Sequence, residues 1–224
     1  MVLQQGIEVP VWGWAGEGEH ITVRFRKQKK TTIAKDGRWG VRLKKLKAGG
    51  PDPLTIDANN KIVLKNVLVG EVWVASGQSN MEWPMRLTDN AEAEIASSAH
   101  DQVRLFTVPK LKALAPTNNV PAAWQLCRPE TTTNFSAVAY HFGRALQQAR
   151  RVPIGLINTS WGGSPAEVWM SEAVLKGNPG YQRDILDPYL EAERKYKDEL
   201  AKFEKEKAEA TKADAALGGH EVFR

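Results

Sequence analysis

Hydrophobic and polar residues alternate with a period of two over the first part of the chain. Ile21, Val23 and Phe25 alternate with Thr22, Arg24 and Arg26, and the rhythm returns at Trp39/Val41/Leu43 and at Leu54/Ile56. This period puts one set of side chains on each face of a strand, so the segments predict half-buried β-strands. Asp36-Gly37 and Gly49-Gly50-Pro51 predict the turns between them. Short strands at such spacing predict a small β-sandwich, jelly-roll-like, over about residues 1–66.

From Val67 the pattern changes to an alternation of strand and helix. The run from Val67 to Ser76 is apolar and rich in β-branched and aromatic residues, which predicts a buried strand. A second strand is predicted at Val103–Val108. Residues 109–123 hold Pro109, Pro116 and Pro121 and predict a long surface loop. Phe135–Arg150 carries Val138, Phe142, Leu146 and Ala149 at helical spacing, with Ser136 as N-cap; Pro153 ends the helix and Ile154–Ile157 follows as a buried strand. Strand–helix–strand implies a parallel sheet with flanking helices, so residues 67–224 are expected to be α/β. Tyr189–Asp214 is dense in Glu and Lys, with pairs such as Asp198–Lys202 and Lys202–Glu206. Leu190, Tyr196, Leu200 and Phe203 give it one narrow apolar face, too short for a coiled coil, and Gly218-Gly219 is expected to stop it.

Composition adds little except at the charges. Hydrophobic residues make up 42% and charged residues 25%, which excludes wholesale disorder. No apolar run approaches the ~20 residues of a membrane span. The N-terminus MVLQQGIEVP shows neither the basic flank nor the apolar core of a signal peptide. The single Cys127 reads as a buried, inert thiol. Net charge is +5, but residues 1–66 hold 13 Lys/Arg against 6 Asp/Glu. Arg24, Arg26, Lys27, Lys29 and Lys30 are the densest basic group. Phe25, the one aromatic residue among them, belongs to the apolar set Ile21/Val23/Phe25, so they predict the solvated face and turn of a hairpin and no nucleic-acid partner. Gly16-Glu17-Gly18 is followed by a strand and lacks a third glycine opening a helix, so it is no dinucleotide motif.

The candidate chemistry sits where the predicted Val67–Ser76 strand ends. Gly77-Gln78-Ser79-Asn80-Met81 places a serine just past a glycine turn, at the carboxyl edge of a sheet, where α/β proteins collect ligands. Trp161-Gly162-Gly163-Ser164-Pro165 follows the Ile154–Ile157 strand and is expected at the same edge. Its small residues would let backbone approach a substrate closely. Asn158, at the strand end, is a candidate pocket residue or a turn cap. Trp83 and Trp169 are candidates for the floor of a sugar site or for rim packing.

These motifs carry a resemblance. GEVWVASGQSNMEWPM resembles the first catalytic block of the sialate O-acetylesterase family, a branch of the SGNH hydrolases. MVLQQGIEVPVWGWAGEGEHITVRF and DGRWGVRLKKLKAGGPDPLTI resemble its N-terminal β-domain, and FSAVAYHFGRALQQARRVPIGLINTSWGGSPAEVWMS its second block. The resemblance spans residues 2 to about 172, in the family's order. It implies a β-sandwich followed by the first part of a flavodoxin-like three-layer α/β domain. It also implies hydrolysis of an acetyl ester on a sugar through a Ser79 nucleophile, with an oxyanion hole from Ser79 and from Gly162 or Gly163, Gly162 first. Gln78, Asn80, Asn158 and Trp161 would border the pocket. An O-acetylated sugar is the implied partner, with no metal or organic cofactor, and the family is usually exported.

One element is missing. The family's late Asp-x-x-His occurs nowhere in the sequence, nor does its Gln-Gly-Glu block. His20, His100, His141 and His220 each read as structural or surface histidines. Members of the family run to about twice this length or more, so the chain is expected to be cut off inside the catalytic domain, with little activity and poor solubility on its own. Two rivals follow: a glycan-binding protein without turnover, and an acetylesterase for plant polysaccharides.

Overall fold

The computed structural model describes residues 1–112 and 117–216, so Pro116, Gly218-Gly219 and His220 lie outside the described residues. The chain forms two compact units, Met1–Gly163 and Ser164–Arg224. The first unit opens with seven strands: β1 (Val2–Gln4), β2 (Val9–Trp14), β3 (His20–Phe25), β4 (Gln28–Ile33), β5 (Arg38–Leu43), β6 (Gly49–Asp57) and β7 (Lys61–Ala75). Helices α1 (Ser79–Glu82) and α2 (Ala91–Ala96) lead to β8 (His100–Thr107) and β9 (Gln125–Cys127). Helices α3 (Pro129–Thr132) and α4 (Ala137–Arg150) lead to β10 (Ile154–Asn158). The main sheet runs β4-β3-β6-β7-β10-β8-β9, with β1 also on β7, while β2 and β5 make a separate antiparallel ribbon. The fold is therefore mixed α/β, with both parallel and antiparallel pairing.

The period-two pattern lands as expected. Ile21, Val23 and Phe25 are at most 1% exposed and join Val9, Leu43, Leu54, Val67 and Val69 in one core. Because Val9 and Leu43 belong to the ribbon, that core is the layer between ribbon and sheet. The basic residues occupy the β3–β4 hairpin, whose turn is Arg26-Lys27; Arg26 Nε lies 2.6 Å from Asp52 and Arg24 Nε 3.4 Å from Asp57. Gly49-Gly50-Pro51 is different from the expected turn. It lies inside β6, between the pairs Gly49↔Val69 and Asp52↔Val67, where the register shifts. Glycines at φ +136° and +108° permit this bulge, and a Cβ on Gly50 would come 2.9 Å from the Val67 carbonyl oxygen.

Strand β7 runs through both regions. Its residues 61–69 pair antiparallel with β6, while residues 71–75 pair parallel with β10. β1 pairs parallel with β7 at Leu68–Gly70, and β10 pairs parallel with it from Glu71 onward. Gly70 marks the handover. A Cβ there would lie 1.9 Å from the Pro153 carbonyl oxygen, which accepts the Glu71 N–H at 2.9 Å.

Helix α4 forms where predicted, and the Ser136 hydroxyl accepts the Ala139 N–H at 3.1 Å. Its buried face, however, is Ala137, Ala139, Tyr140 and Gly143, whereas Val138 and Phe142 are 49% and 43% exposed. Gly143 sets this choice. A Cβ on Gly143 would stand 2.5 Å from a Leu156 methyl, so the helix approaches β10 closely at Gly143, while Tyr140 fills the core beside it. Phe142 instead meets Trp73 edge-on at 5.2 Å. Cys127 is buried, its thiol facing the Ser98 carbonyl oxygen at 3.2 Å, and burial pushes its pKa up.

The second unit holds α5 (Glu172–Lys176), α6 (Pro179–Tyr181), a π turn at Gln182–Leu186 and the 30-residue α7 (Asp187–Ala216). Surface pairs Lys195–Glu191, Lys197–Glu193 and Lys202–Glu206 lace α7; Asp198–Lys202 is not an ion pair among the described residues. Leu190, Tyr196, Leu200 and Phe203 are all more than 40% exposed, so the expected narrow face is uncovered. No helix among the described residues is long and apolar enough to cross a membrane.

Gly70→Ala tests the handover in β7. The added methyl cannot coexist with the Pro153 carbonyl, and we expect a loss of about 3 kcal/mol or more in urea unfolding, the upper range for overpacking. Gly163→Ala, at an open position, is the comparison and should cost less.

Candidate active site

Strand β7 ends at Ala75, and Gly77 at φ +147° turns the chain sharply into α1. Ser79 is the first residue of that short helix. It is exposed, and its hydroxyl makes no hydrogen bond among the described residues. Gln78 caps the helix by backbone position, its side chain making no cap bond, and Asn80 is exposed beside Ser79.

The loop leaving β10 is fastened along the loop leaving β7. Thr159 N–H donates to the Ala75 carbonyl at 2.9 Å, and Trp161 N–H to the Gly77 carbonyl at 2.9 Å. These two bonds carry Gly162 up to Ser79. A Cβ on Gly162 would lie 3.5 Å from both Cα and Cβ of Ser79, so the two backbones are in contact. Gly163 follows at φ +76° with open space around it. Sequence reasoning placed both glycines at the edge where Ser79 stands, and the structure brings Gly162 against Ser79 there.

Asn158 is 7% exposed. Its side-chain oxygen accepts from Ser160 N–H at 3.1 Å and from Ser160 Oγ at 2.6 Å, so it caps the turn that starts the loop. Trp161 is half-buried, with Lys110 Nζ 5.9 Å from its ring centroid. Trp83 donates its indole N–H to the Leu87 carbonyl at 3.0 Å, and Trp169, in the second unit, donates to Ser164 Oγ at 3.0 Å.

Glu82 is the residue that sequence reasoning missed. Its carboxylate accepts the Gly162 N–H and pairs with Lys110. The Lys110 bond, then the Gly162 N–H, hold its pKa below the usual glutamate value, so it is ionised at neutral pH. The signal was present in the spacing: Ser79 and Glu82 are three apart on one helical turn, which puts both on the same face.

The described histidines stand elsewhere. His20 opens β3 and is exposed. His100 opens β8, its Nε2 3.1 Å from Tyr140 Oη; burial, with Arg144 and Arg128, lowers its pKa. Both β7 and β8 run parallel to β10, so the Ser79 end of the sheet is the Thr107 end of β8. His100 is seven residues back from Thr107, about 23 Å at ~3.3 Å per residue. His141 faces Arg144 and Tyr140. No histidine hydrogen-bonds Ser79 among the described residues, and no group of three or more His, Cys, Asp or Glu that could hold a metal occurs among them.

Comparison with known proteins identifies the family. The family profile described as carbohydrate esterase, sialic acid-specific acetylesterase, matches residues 69–215, from the second half of β7 to the last turn of α7. A sialate O-acetylesterase from Rattus norvegicus is 33% identical over 210 residues, 82% of this chain and 38% of the relative. The one from Homo sapiens is 33% identical over 198 residues, 79% of this chain and 38% of the relative. A crystal structure of a carbohydrate acetylesterase from Xanthomonas citri superposes with a TM-score of 0.76 at 38% identity, over 78% of this chain and 41% of that one. The chain thus spans about two fifths of the length of the proteins it matches. With its strand–glycine–serine turn inside the matched region, the chain belongs to the sialic acid-specific acetylesterase family of carbohydrate esterases.

Proposed function

We propose that this chain carries the nucleophile and oxyanion elements of a serine esterase that removes O-acetyl groups from sialic acid or a related acetylated sugar. The observation that carries the reading is the contact of Gly162 with Ser79 at the carboxyl ends of β10 and β7. Ser79 Oγ attacks the acetyl carbonyl, the sugar hydroxyl leaves with a proton, and water then cleaves the acetyl-Ser79 ester to release acetate. In this reading the Ser79 N–H and the Gly162-Gly163 turn would hold the tetrahedral oxyanion. In the free chain the Gly162 N–H is engaged by Glu82, whereas Gly163 N–H makes no hydrogen bond among the described residues. Both glycines are therefore assigned to the hole, with Gly162 serving once the oxyanion competes with the carboxylate. Gln78, Asn80 and Trp161 border the acetyl group, and Asn158 supports the loop from behind. In the same reading residues 1–66 form the jelly-roll-like β-sandwich, and residues 67–224 the first part of the SGNH three-layer domain.

The absence of a described histidine at Ser79 favours a second reading, glycan binding without turnover. Added imidazole separates the two, because it can take the proton that no described side chain accepts. Acetate release from 9-O-acetylated sialic acid should be accelerated by imidazole and should vanish in Ser79→Ala. Equal release by both proteins, or none from either, would favour the second reading. Gly162→Ala keeps the backbone N–H but brings a methyl within 2.7 Å of Glu82 Oε2; by displacing that N–H it should lower the Ser79-dependent rate by up to ~10²-fold, the usual effect of losing an oxyanion donor.

The depressed pKa of Glu82 means its tether to Gly162 is fully present above the ordinary glutamate pKa and is lost as pH falls through the lower, folded value. The Gly162 amide resonance should therefore titrate below the ordinary glutamate range, and Glu82→Gln should abolish that titration.

A further inference from the structure

A second place on the molecule is built from tryptophan. Trp12 and Trp14 stand on the outward face of β2, each 53% exposed, with rings 5.4 Å apart and edge to face. Glycines make this geometry available. Trp12 pairs across the ribbon with Gly40, which has no side chain to cover the indole, and Trp39 lies against Gly13 so closely that a Cβ there would meet its ring at 3.0 Å. Between the ribbon and the β6–β7 hairpin lies a groove of about 510 Å³, lined by these three indoles, by Ile56 and Ile62, and by the Asn59-Asn60 turn. That volume falls within the ~300–1,000 Å³ of small-molecule clefts.

The groove's polar groups define its ligand. Its one ionisable residue, Glu19, is spent on structure: one carboxylate oxygen accepts Gly16 N–H at 2.9 Å and the other Asn59 N–H at 2.8 Å. These bonds fix the turn that presents Asn59 and Asn60. The side-chain amides of those two residues, and the indole N–H groups of Trp12, Trp14 and Trp39, make no hydrogen bond among the described residues. The groove thus offers flat aromatic faces, amide and indole donors, amide acceptors and no unpaired charge. A phosphate, a sulfate or a sialic acid carboxylate would find no cation in it. A neutral pyranose with equatorial hydroxyls matches it, because its C–H face stacks on indole while its hydroxyls reach the amides.

We propose that this groove on the β-ribbon is a binding site for a neutral, equatorially linked glycan chain, separate from the Ser79 seat. It would hold an extended saccharide on the surface while leaving the esterase chemistry to the other end of β7.

The probe is cellohexaose, titrated into the whole chain while tryptophan fluorescence is followed. A saturable change is expected, weakened at least about tenfold in Trp12→Ala/Trp14→Ala, as the loss of two stacking faces requires. Asn59→Ala/Asn60→Ala, which leaves the indoles in place, should weaken it as well and guards against a folding artefact in the first variant. Ser79→Ala should bind with unchanged affinity, so a failure of the esterase reading would leave this result standing. No saturable change, a change that survives loss of both tryptophans, or equally tight binding of 3′-sialyllactose would overturn the proposal.

Discussion

Everything in the first unit depends on the close contact between Gly70 of β7 and Pro153 at the start of β10. A side chain at residue 70 has no space, because the Pro153 carbonyl oxygen occupies it. This contact, with the Glu71 N–H to Pro153 bond, sets the register of β10 on β7. Sheet register is propagated residue by residue, so fixing Ile154 against Glu71 also fixes Asn158 against Ala75. The two outgoing loops then start level with each other. That is why Trp161 can reach Gly77 and why Gly162 arrives at Ser79. A slip of one residue at Gly70 would carry the glycine turn away from the serine.

The same strand explains how the β-ribbon region and the α/β region share a frame. The first part of β7 is one edge of the antiparallel core, packed through Val67 and Val69. Its last five residues pair parallel with β10 and lead into the turn that presents Ser79. The tryptophan groove and the serine seat are thereby tied to one backbone, at positions set by β7 and not by flexible linkage.

Much of this was legible in the sequence, and the exceptions have specific causes. Strong period-two runs such as Ile21/Val23/Phe25 read correctly because burial on one face of a strand demands that spacing. The turn after β7 read correctly in its geometry, since a glycine at positive φ is what lets the strand end sharply before Ser79. Gly49-Gly50-Pro51 misled because glycine serves bulges as well as turns, and only the pairing of β6 with β7 distinguishes them. In α4 the spacing of Val138 and Phe142 suggested the buried face, yet the close approach of Gly143 to Leu156 puts Ala139, Tyr140 and Gly143 inward instead. Glu82 was not legible as part of the site, since its partners Gly162 and Lys110 are 80 and 28 residues away and only the fold brings them together.

In the proposed reaction the Ser79 hydroxyl is the group that takes up acetyl. The most direct measurement is peptide mass spectrometry after brief exposure of the chain to an activated acetyl ester with imidazole, followed by acid quenching. The account predicts one acetyl group on the peptide containing Ser79 and none on the corresponding peptide of Ser79→Ala. Acetyl found only on lysines, or found equally on both proteins, would contradict it.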